Sequence, residues 1–470
     1  MFLPQVVKSA RVMKEAVNIL QPEIEGHNQK EQPIVKRPKI VLATAKGDVH
    51  DIGKNIVSIV LSCNNLEVID LGVMVDNQRI LEAVREHQAD IVGISGLITP
   101  SLHEMENLCE LLQKEKMQIP LIVGGATTSS VHTAVKLAPR YDYGVLPGGD
   151  ASKTAGIIKR LLQDKENYIR QLKAEQAEIR RLYTQAHVPL LSLEEARTLA
   201  PSFSQESFRQ PPGFGEHNLT AKHLDLRELA DYIDWTPFFH FWGFKGKFPE
   251  IIHTQEEADR IYQAALGLLG QALGGEEFDA AVLVRFFDAY AWQEEIFLDQ
   301  HRRLPLLRQQ QAGETCLCLS DFVCPREYGK STVGLFCLKV SDLRTTCSGQ
   351  DFEHLLRESV CARLTEALAE WMHRQVGDGL HMIRPAFGYS ACPDHSLKKE
   401  VFDWLEAPAQ LGVKLTSSYA IQPATSLCGM LIAHPQARYF SVGALGEDQF
   451  QLYCRRRQIT PEEGKRLLGR

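Results

Sequence analysis

Residues 46–57 read KGDVHDIGKNIV, and they follow the apolar run KIVLATA at 39–45. The run has the length and β-branched content of a buried strand, and from Gly53 onward the apolar residues take up helical spacing. A histidine flanked by two aspartates and two glycines therefore stands where a strand ends and a helix begins. Four more apolar runs follow: LEVIDLG at 66–72, ADIVGISG at 89–96, IPLIVGG at 119–125 and YGVLPGG at 143–149. Helical patterns begin near Gly53, Asn77, Ser101, Ser129 and Ala151. Near-continuous apolar strands alternating with helices describe a parallel sheet covered on both faces, with right-handed crossovers. The pattern predicts an α/β doubly wound, five-stranded parallel sheet over 32–165, with the flavodoxin-like strand order 2-1-3-4-5.

The rest of the chain bounds the answer. At 470 residues it holds several domains, and 44% hydrophobic with 24% charged residues is a globular composition. A net charge of −7 without a Lys/Arg block argues against a general nucleic-acid binder. No window approaches the roughly 18 uncharged apolar residues that span a bilayer. The N-terminal MFLPQVVKSARVMKEAV carries charges throughout, unlike a secretory signal. The eleven cysteines form no C-x-x-C pair, and Cys316, Cys318 and Cys324 lack the paired spacing of a zinc site. Reduced thiols in a cytoplasmic protein, with no membrane and no nucleic-acid partner, are the expectation.

Residues 1–20 repeat apolar positions at helical spacing, from Val6 to Leu20, and one amphipathic helix must dock on something. With the polar, proline-bearing residues that follow, it forms a segment 1–31. Residues 166–188 are charged and helical, as a solvated linker would be. From Pro189 the character changes to proline, aromatic and irregular stretches such as WTPFFHFWGFKGKFP at 235–249. Long helical patterns near 255–273 and 350–376 and β-type runs AAVLVRFF (280–287), STVGLFCLKV (331–340) and ARYFSVG (437–443) predict a separate α+β domain over 189–470.

In a doubly wound sheet, ligands bind beyond the carboxyl ends of the strands, at the switch in strand order. The loops gathered there read GDVHDIG, SGLITPS, GGATTSS and GGDAS. Three chemistries compete for that rim. A phosphate-binding loop wants glycines and hydroxyls after strand 1, not two carboxylates. A phospho-receiver wants an aspartate closing strand 3 and a lysine closing strand 5, where this chain has Ser95-Gly96 and Pro147-Gly148-Gly149. A metal-bound imidazole wants a carboxylate on its second nitrogen, and Asp48 and Asp51 flank His50. One histidine cannot hold a bare metal, but it can give one axial bond to a metal already caged in a macrocycle.

GDVHDIGKNIV, SGLITPSL and VGGATTS resemble the cobalamin-binding domain of corrinoid proteins, with the nearest match to cobalamin-dependent methionine synthases. Asp-x-His-x-x-Gly alone is shared with cobalamin-dependent mutases and simple corrinoid carriers. The resemblance implies that His50 is the lower axial ligand of cobalt, that Asp48 is its hydrogen-bond partner and that Ser101 bonds Asp48. It also implies that Gly47, Val49, Asp51, Ser95, Thr99, Gly124, Gly125 and Ala151 surround the cofactor, the small residues leaving a slot for its displaced nucleotide tail.

Three further segments, YIDWTPFF (232–239), IRPAFGYSACPDH (383–395) and HPQARYFSVG (434–443), resemble the activation domain of that family, which binds S-adenosylmethionine. The resemblance places Asp234, Arg384, Tyr389, Tyr439 and Phe440 at that ligand. An aspartate suits the α-ammonium, an arginine a carboxylate or backbone groups, and aromatic faces the sulfonium and adenine. The chain departs from the family at Phe440, where a second tyrosine is expected, at PAFGYSACP against PAPGYPACP, and in a short link between 376 and 383.

The implied cofactors are cobalamin, as methylcobalamin, and S-adenosylmethionine. The implied activity is methyl transfer of the methionine synthase type, with S-adenosylmethionine-dependent remethylation of oxidised cofactor. Residues 1–20 resemble the end of the helical cap, and nothing resembles the homocysteine- and folate-binding barrels. The expectation is a fragment, or a stand-alone reactivation half working with separate homocysteine- and folate-binding modules and a flavodoxin-like or other reductase. The alternatives are a corrinoid carrier or regulator without catalysis, a degenerate fragment, and a mutase subunit, against which 383–395 speaks.

Overall fold

The structure is a computed structural model that describes residues 37–125, 128–149, 151–185, 189–210, 214–272, 277–299, 301–344, 352–377 and 379–469. The helix expected over 1–20 lies outside these residues. By packing, the chain divides into two compact units. The first comprises residues up to 186 with 235–271 and 344–360; the second comprises 187–234, 272–343 and 361–470. The segments 235–271 and 344–360 thus do not group with the remainder of 189–470. They carry aromatic contacts of their own, Trp235 on Phe238 at 5.3 Å and Trp242 on Phe352 at 5.5 Å between ring centroids.

The first unit contains β1 (Lys39–Thr44), α1 (Ile52–Cys63), β2 (Glu67–Asp70), α2 (Asn77–His87), β3 (Ile91–Ser95), α3 (Thr99–Lys114), β4 (Leu121–Gly124), β5 (Val145–Pro147), α4 (Ala151–Gln163) and α5 (Lys165–Gln185). The sheet is parallel throughout, in the order β2-β1-β3-β4-β5. Alternation along β1 sorts its side chains between two cores. Val41 and Ala43 pack with residues of α2 and α3 such as Leu81 and Leu108; Ile40 and Leu42 pack with Leu61 of α1 and Ile158 of α4. Each such buried aliphatic side chain is worth roughly 1.5–3 kcal/mol. Both faces of the central strands are therefore covered.

The charged helix expected as a solvated linker is docked instead. Ile169 and Leu172 of α5 join the core with Leu146, Gln176 Nε2 donates to Val145 O at 2.7 Å, and Arg180 Nη1 donates to Ala134 O at 2.9 Å. Its many charges hide a narrow apolar stripe, which is enough to hold one helix face.

The second unit is built on an antiparallel sheet of β6 (Leu219–Ala221), β7 (Phe278–Trp292), β8 (Glu295–Phe297), β9 (Arg303–Pro305), β10 (Ser331–Asp342), β11 (Met382–Ile383) and β14 (Ser426–Ala433), with a separate pair, β12 (Lys414–Leu415) and β13 (Ile421–Gln422). Its order is β11-β14-β10-β7-β8-β9, with β6 beside β7. The helices α6 (Glu256–Ala272), which groups with the first unit up to Gln271, and α7 (Phe352–Gly377), which groups with the second from Cys361 onward, stand where helical spacing predicts them. The run ARYFSVG is not a strand: Pro435 opens a turn after β14, Ala437 N donates to His434 O, and 437–443 continue without regular structure. Its alternation of large and small residues mimics a strand, but its rings serve a cavity rather than a sheet. No described helix is long and apolar enough to cross a membrane.

Candidate functional site

The loop after β1 turns at Gly47 (φ +77), a conformation that glycine adopts without strain. Asp48 follows with a fully buried side chain, and every bond to its carboxylate has a structural source. Oδ1 accepts from His50 Nδ1 at 2.7 Å and from His50 N at 3.1 Å. Oδ2 accepts from Ser101 Oγ at 2.6 Å, Leu97 N at 2.6 Å and Ile98 N at 3.3 Å. Burial alone would push this carboxyl up, but His50, Ser101 and the Leu97 N–H together hold it down at about 2. An ionised Asp48 only accepts, so His50 Nδ1 is the donor to it, and in the neutral imidazole the lone pair is then on Nε2. The His50 side chain is 29% exposed, at the strand rim.

Two glycines let the rim loops approach. A Cβ on Gly96 would lie 2.5 Å from Ser101 Cβ, and one on Gly125 (φ +122) would lie 1.8 Å from Gly96 O. The loops after β3 and β4 can touch only because both positions lack side chains. A Cβ on Gly124 would meet nothing within 4 Å, so that position borders open space. Ser95 closes β3, its carbonyl taking the Ala45 N–H at 2.9 Å, and Thr99 opens α3. Val49 and Asp51 lie half-buried beside His50, and Ala151 opens α4. The structure thus gathers the residues expected at the first site along one rim. Residue-type reasoning missed the Leu97 and Ile98 N–H donors; Gly96 in SGLITPS was the signal for them.

The second unit holds a cavity of about 530 Å³. Phe336 of β10 and Leu427 of β14 line it, as do Glu366 and Ala369 of α7 and parts of the loops 384–391 and 439–441. Gly429 lets loop 384–386 lie on β14, since a Cβ there would be 2.6 Å from Pro385 O. Gly388 (φ +94) packs against the His395 ring, where a Cβ would lie 2.2 Å from Cε1. The tight turn that follows, with Cys392 N donating to Tyr389 O at 2.8 Å, leaves the Tyr389 side chain 63% exposed. Tyr439 is 62% exposed, and its hydroxyl accepts from Arg384 N at 2.8 Å.

Arg384, Tyr389, Tyr439 and Phe440 therefore line one cavity. The Arg384 guanidinium, however, is occupied: it bonds Ala369 O and, at 3.0 Å, Glu370 Oε2, both on α7. Asp234 is exposed and is not among the lining residues. Glu366, which the sequence did not single out, is the carboxylate in the lining. Its signal was weak: an exposed acid between buried Thr365 and Ala367, four residues before Glu370.

Known proteins match both regions of the chain. The family model described as B12 binding domain matches residues 38–155. The model described as vitamin B12 dependent methionine synthase, activation domain, matches residues 225–458. Among solved structures, the MetH reactivation domain bound to AdoHcy is 28% identical, covering 60% of this chain and 98% of that chain, with a TM-score of 0.56. A cobalamin-binding protein from Desulfitobacterium hafniense DCB-2 is 29% identical over 34% of this chain and 71% of that one, TM-score 0.27. The methanol:cobalamin methyltransferase complex MtaBC from Methanosarcina barkeri is 27% identical over 35% of this chain and 59% of that one, TM-score 0.30. The buried Asp48, bonded to both His50 and Ser101, lies within the stretch that matches the B12 binding domain, and the cavity of the second unit lies within the stretch that matches the activation domain of vitamin B12 dependent methionine synthases.

Proposed function

We propose that this chain is the cobalamin-holding and reactivating part of a methionine-synthase-type methyltransferase. The observation that carries it is the chain Ser101–Asp48–His50, buried at one end and presenting an imidazole lone pair to the rim at the other. The residues fit the cofactor: His50 Nε2 would hold its metal, and the open space beside Gly124 would leave it room. When bound, cobalamin supplies a cobalt centre that accepts and donates a methyl group. Asp48 keeps the Nδ1 proton, orients the ring and raises its donor strength.

The second-unit cavity takes S-adenosylmethionine in this proposal. Its size falls in the range of about 300–1,000 Å³ common for small-molecule sites. The exposed faces of Tyr389 and Tyr439 suit a sulfonium and an adenine, and Glu366 suits the α-ammonium. Arg384 acts here by tying its loop to α7 rather than as an open fork. A flavodoxin-like donor supplies the electron for reactivation, and homocysteine and folate are handled by other modules.

The test is the visible spectrum after reconstitution with methylcobalamin. Wild type shows the histidine-ligated form and His50→Ala does not; identical spectra would remove His50 from the role. Two observations favour a second reading, a corrinoid carrier without catalysis: Asp234 does not line the cavity, and the Arg384 guanidinium is engaged. Calorimetry with S-adenosylmethionine separates the two, because the carrier gives no binding heat.

A further inference from the structure

Lys54 is an anomaly in the first turn of α1. It sits at the third helical position, where the macrodipole disfavours a cation by about 0.3–1 kcal/mol. It is also buried, at 4% exposure, and a buried charge is costly unless paired. Its Nζ bonds both carboxylate oxygens of Asp70, each at 2.5 Å, and Asn55 Oδ1 at 3.1 Å. Asn55 Nδ2 in turn donates to Asp51 Oδ2 at 3.0 Å, next to His50. None of these four residues touches the His50 imidazole in the bonds described above.

The far end of this chain of bonds leads back to the histidine loop. Asp70 Oδ1 accepts the Gly72 N–H at 2.9 Å, at the start of the loop 71–75. That loop runs beside the end of β1: Thr44 N donates to Gly72 O, and Val75 N to Thr44 O, both at 3.0 Å. Met74 N then donates to Asp48 O at 3.1 Å, holding the backbone of the carboxylate that holds His50. Met74 has φ +54, a left-handed conformation that a non-glycine residue keeps only where its surroundings impose it. The Lys54–Asp70 pair is bonded to the start of that loop through the Gly72 N–H.

We propose that Lys54 is a positioning residue for His50. Fixed on Asp70, it braces loop 71–75 under the Asp48 backbone and so sets the height of the imidazole at the sheet rim. This rests on His50 being the axial ligand. Without the brace, loop 71–75 relaxes toward unstrained backbone and Asp48 loses the Met74 bond. The imidazole then meets the metal less well, although the slot that binds the rest of the cofactor is intact.

The experiment reconstitutes the full chain with methylcobalamin and reads two quantities at fixed pH: cofactor bound per chain, and the fraction of bound cofactor in the histidine-ligated form. Lys54→Met and Asp70→Asn should each lower the ratio of ligated to unligated cofactor about tenfold, as loss of outer-shell support does. Cofactor should stay bound in both. The double variant should be no worse than Lys54→Met alone, because the two act as one unit. A merely structural role would lower stability and bound cofactor together and leave the ligated fraction of what binds unchanged; that result overturns the proposal. If Lys54→Met does not fold, Asp70→Asn, which keeps the side-chain shape, decides. If wild type already matches His50→Ala, the axial assignment fails first and the brace falls with it.

Discussion

The sheet rim and the second-unit cavity solve the same problem in opposite ways. At the rim, the polar groups around Asp48 are saturated: its two oxygens take five donors, and the histidine is left one outward nitrogen. In the cavity, Tyr389 and Tyr439 are more than 60% exposed, and the Arg384 guanidinium is tied to Glu370. The difference teaches where rigidity is needed. A metal bond depends on the direction of one lone pair, so its support is built in advance. A sulfonium ligand is held by faces and area, which tolerate adjustment until it binds.

The comparison breaks first, and by the largest effect, at Gly125. Gly125→Ala places a Cβ on Gly96 O and forces an unfavourable φ, and it should destabilise the first unit by about 3 kcal/mol or more. Denaturant unfolding read by circular dichroism checks this; a loss within experimental error would mean the two rim loops are not locked together. The equivalent strain test in the cavity loop, Gly388→Ala, should cost less, since a side-chain ring rather than backbone is in the way.

Next comes acid. Asp48 is held at about 2, below its ordinary 3.8. A depressed folded-state value means the stabilisation is complete above about pH 4 and is lost as the pH falls toward 2. At 1.36 kcal/mol per pH unit, the amount is roughly 2 kcal/mol. Urea unfolding at pH 5, 4 and 3 should show wild type losing about half of this increment by pH 3 relative to Asp48→Asn. Parallel curves for the two would show that the carboxylate is not specially held.

Ser101→Ala removes one of the donors on Asp48 and should cost about 1–2 kcal/mol, with the Asp48 carboxyl moving up from about 2. Chemical-shift titration of Asp48 reads that shift directly. In the cavity, Tyr439→Phe deletes the hydroxyl that accepts from Arg384 N. That costs about 1 kcal/mol of loop order, which calorimetry should show as about fivefold weaker S-adenosylmethionine binding. The smallest effect belongs to Glu370→Gln. A half-exposed ion pair is worth about 0.5 kcal/mol, so binding should change by less than about threefold.

How legible all this was differs between the two regions. The strand pattern from 39 to 149 announced the parallel sheet, and one twelve-residue stretch held both His50 and Asp48. In the second unit, the cavity draws on β10, α7, the loop after β11 and the loop after β14, and no short stretch contains it. The run 437–443 looked like a strand because alternation cannot distinguish a sheet face from a cavity wall. The helix 165–185 looked solvated because its buried stripe is narrow among many charges. Glu366 was invisible because one exposed acid on a helix is ordinary.

The amino-acid sequence by itself determined the order of the first sheet and which loops share its rim. Strands of period and apolarity suited to a parallel sheet put all their carboxyl ends on one side, whatever the side chains later do. Only the tertiary structure decided which polar groups became partners. Ser101 reaches Asp48 from 53 positions away, Arg384 bonds Ala369 O and Glu370 of α7, and buried Lys54 finds Asp70. The reason is that burial makes an unpartnered polar group costly, so partners are chosen by whatever donors and acceptors packing brings within reach.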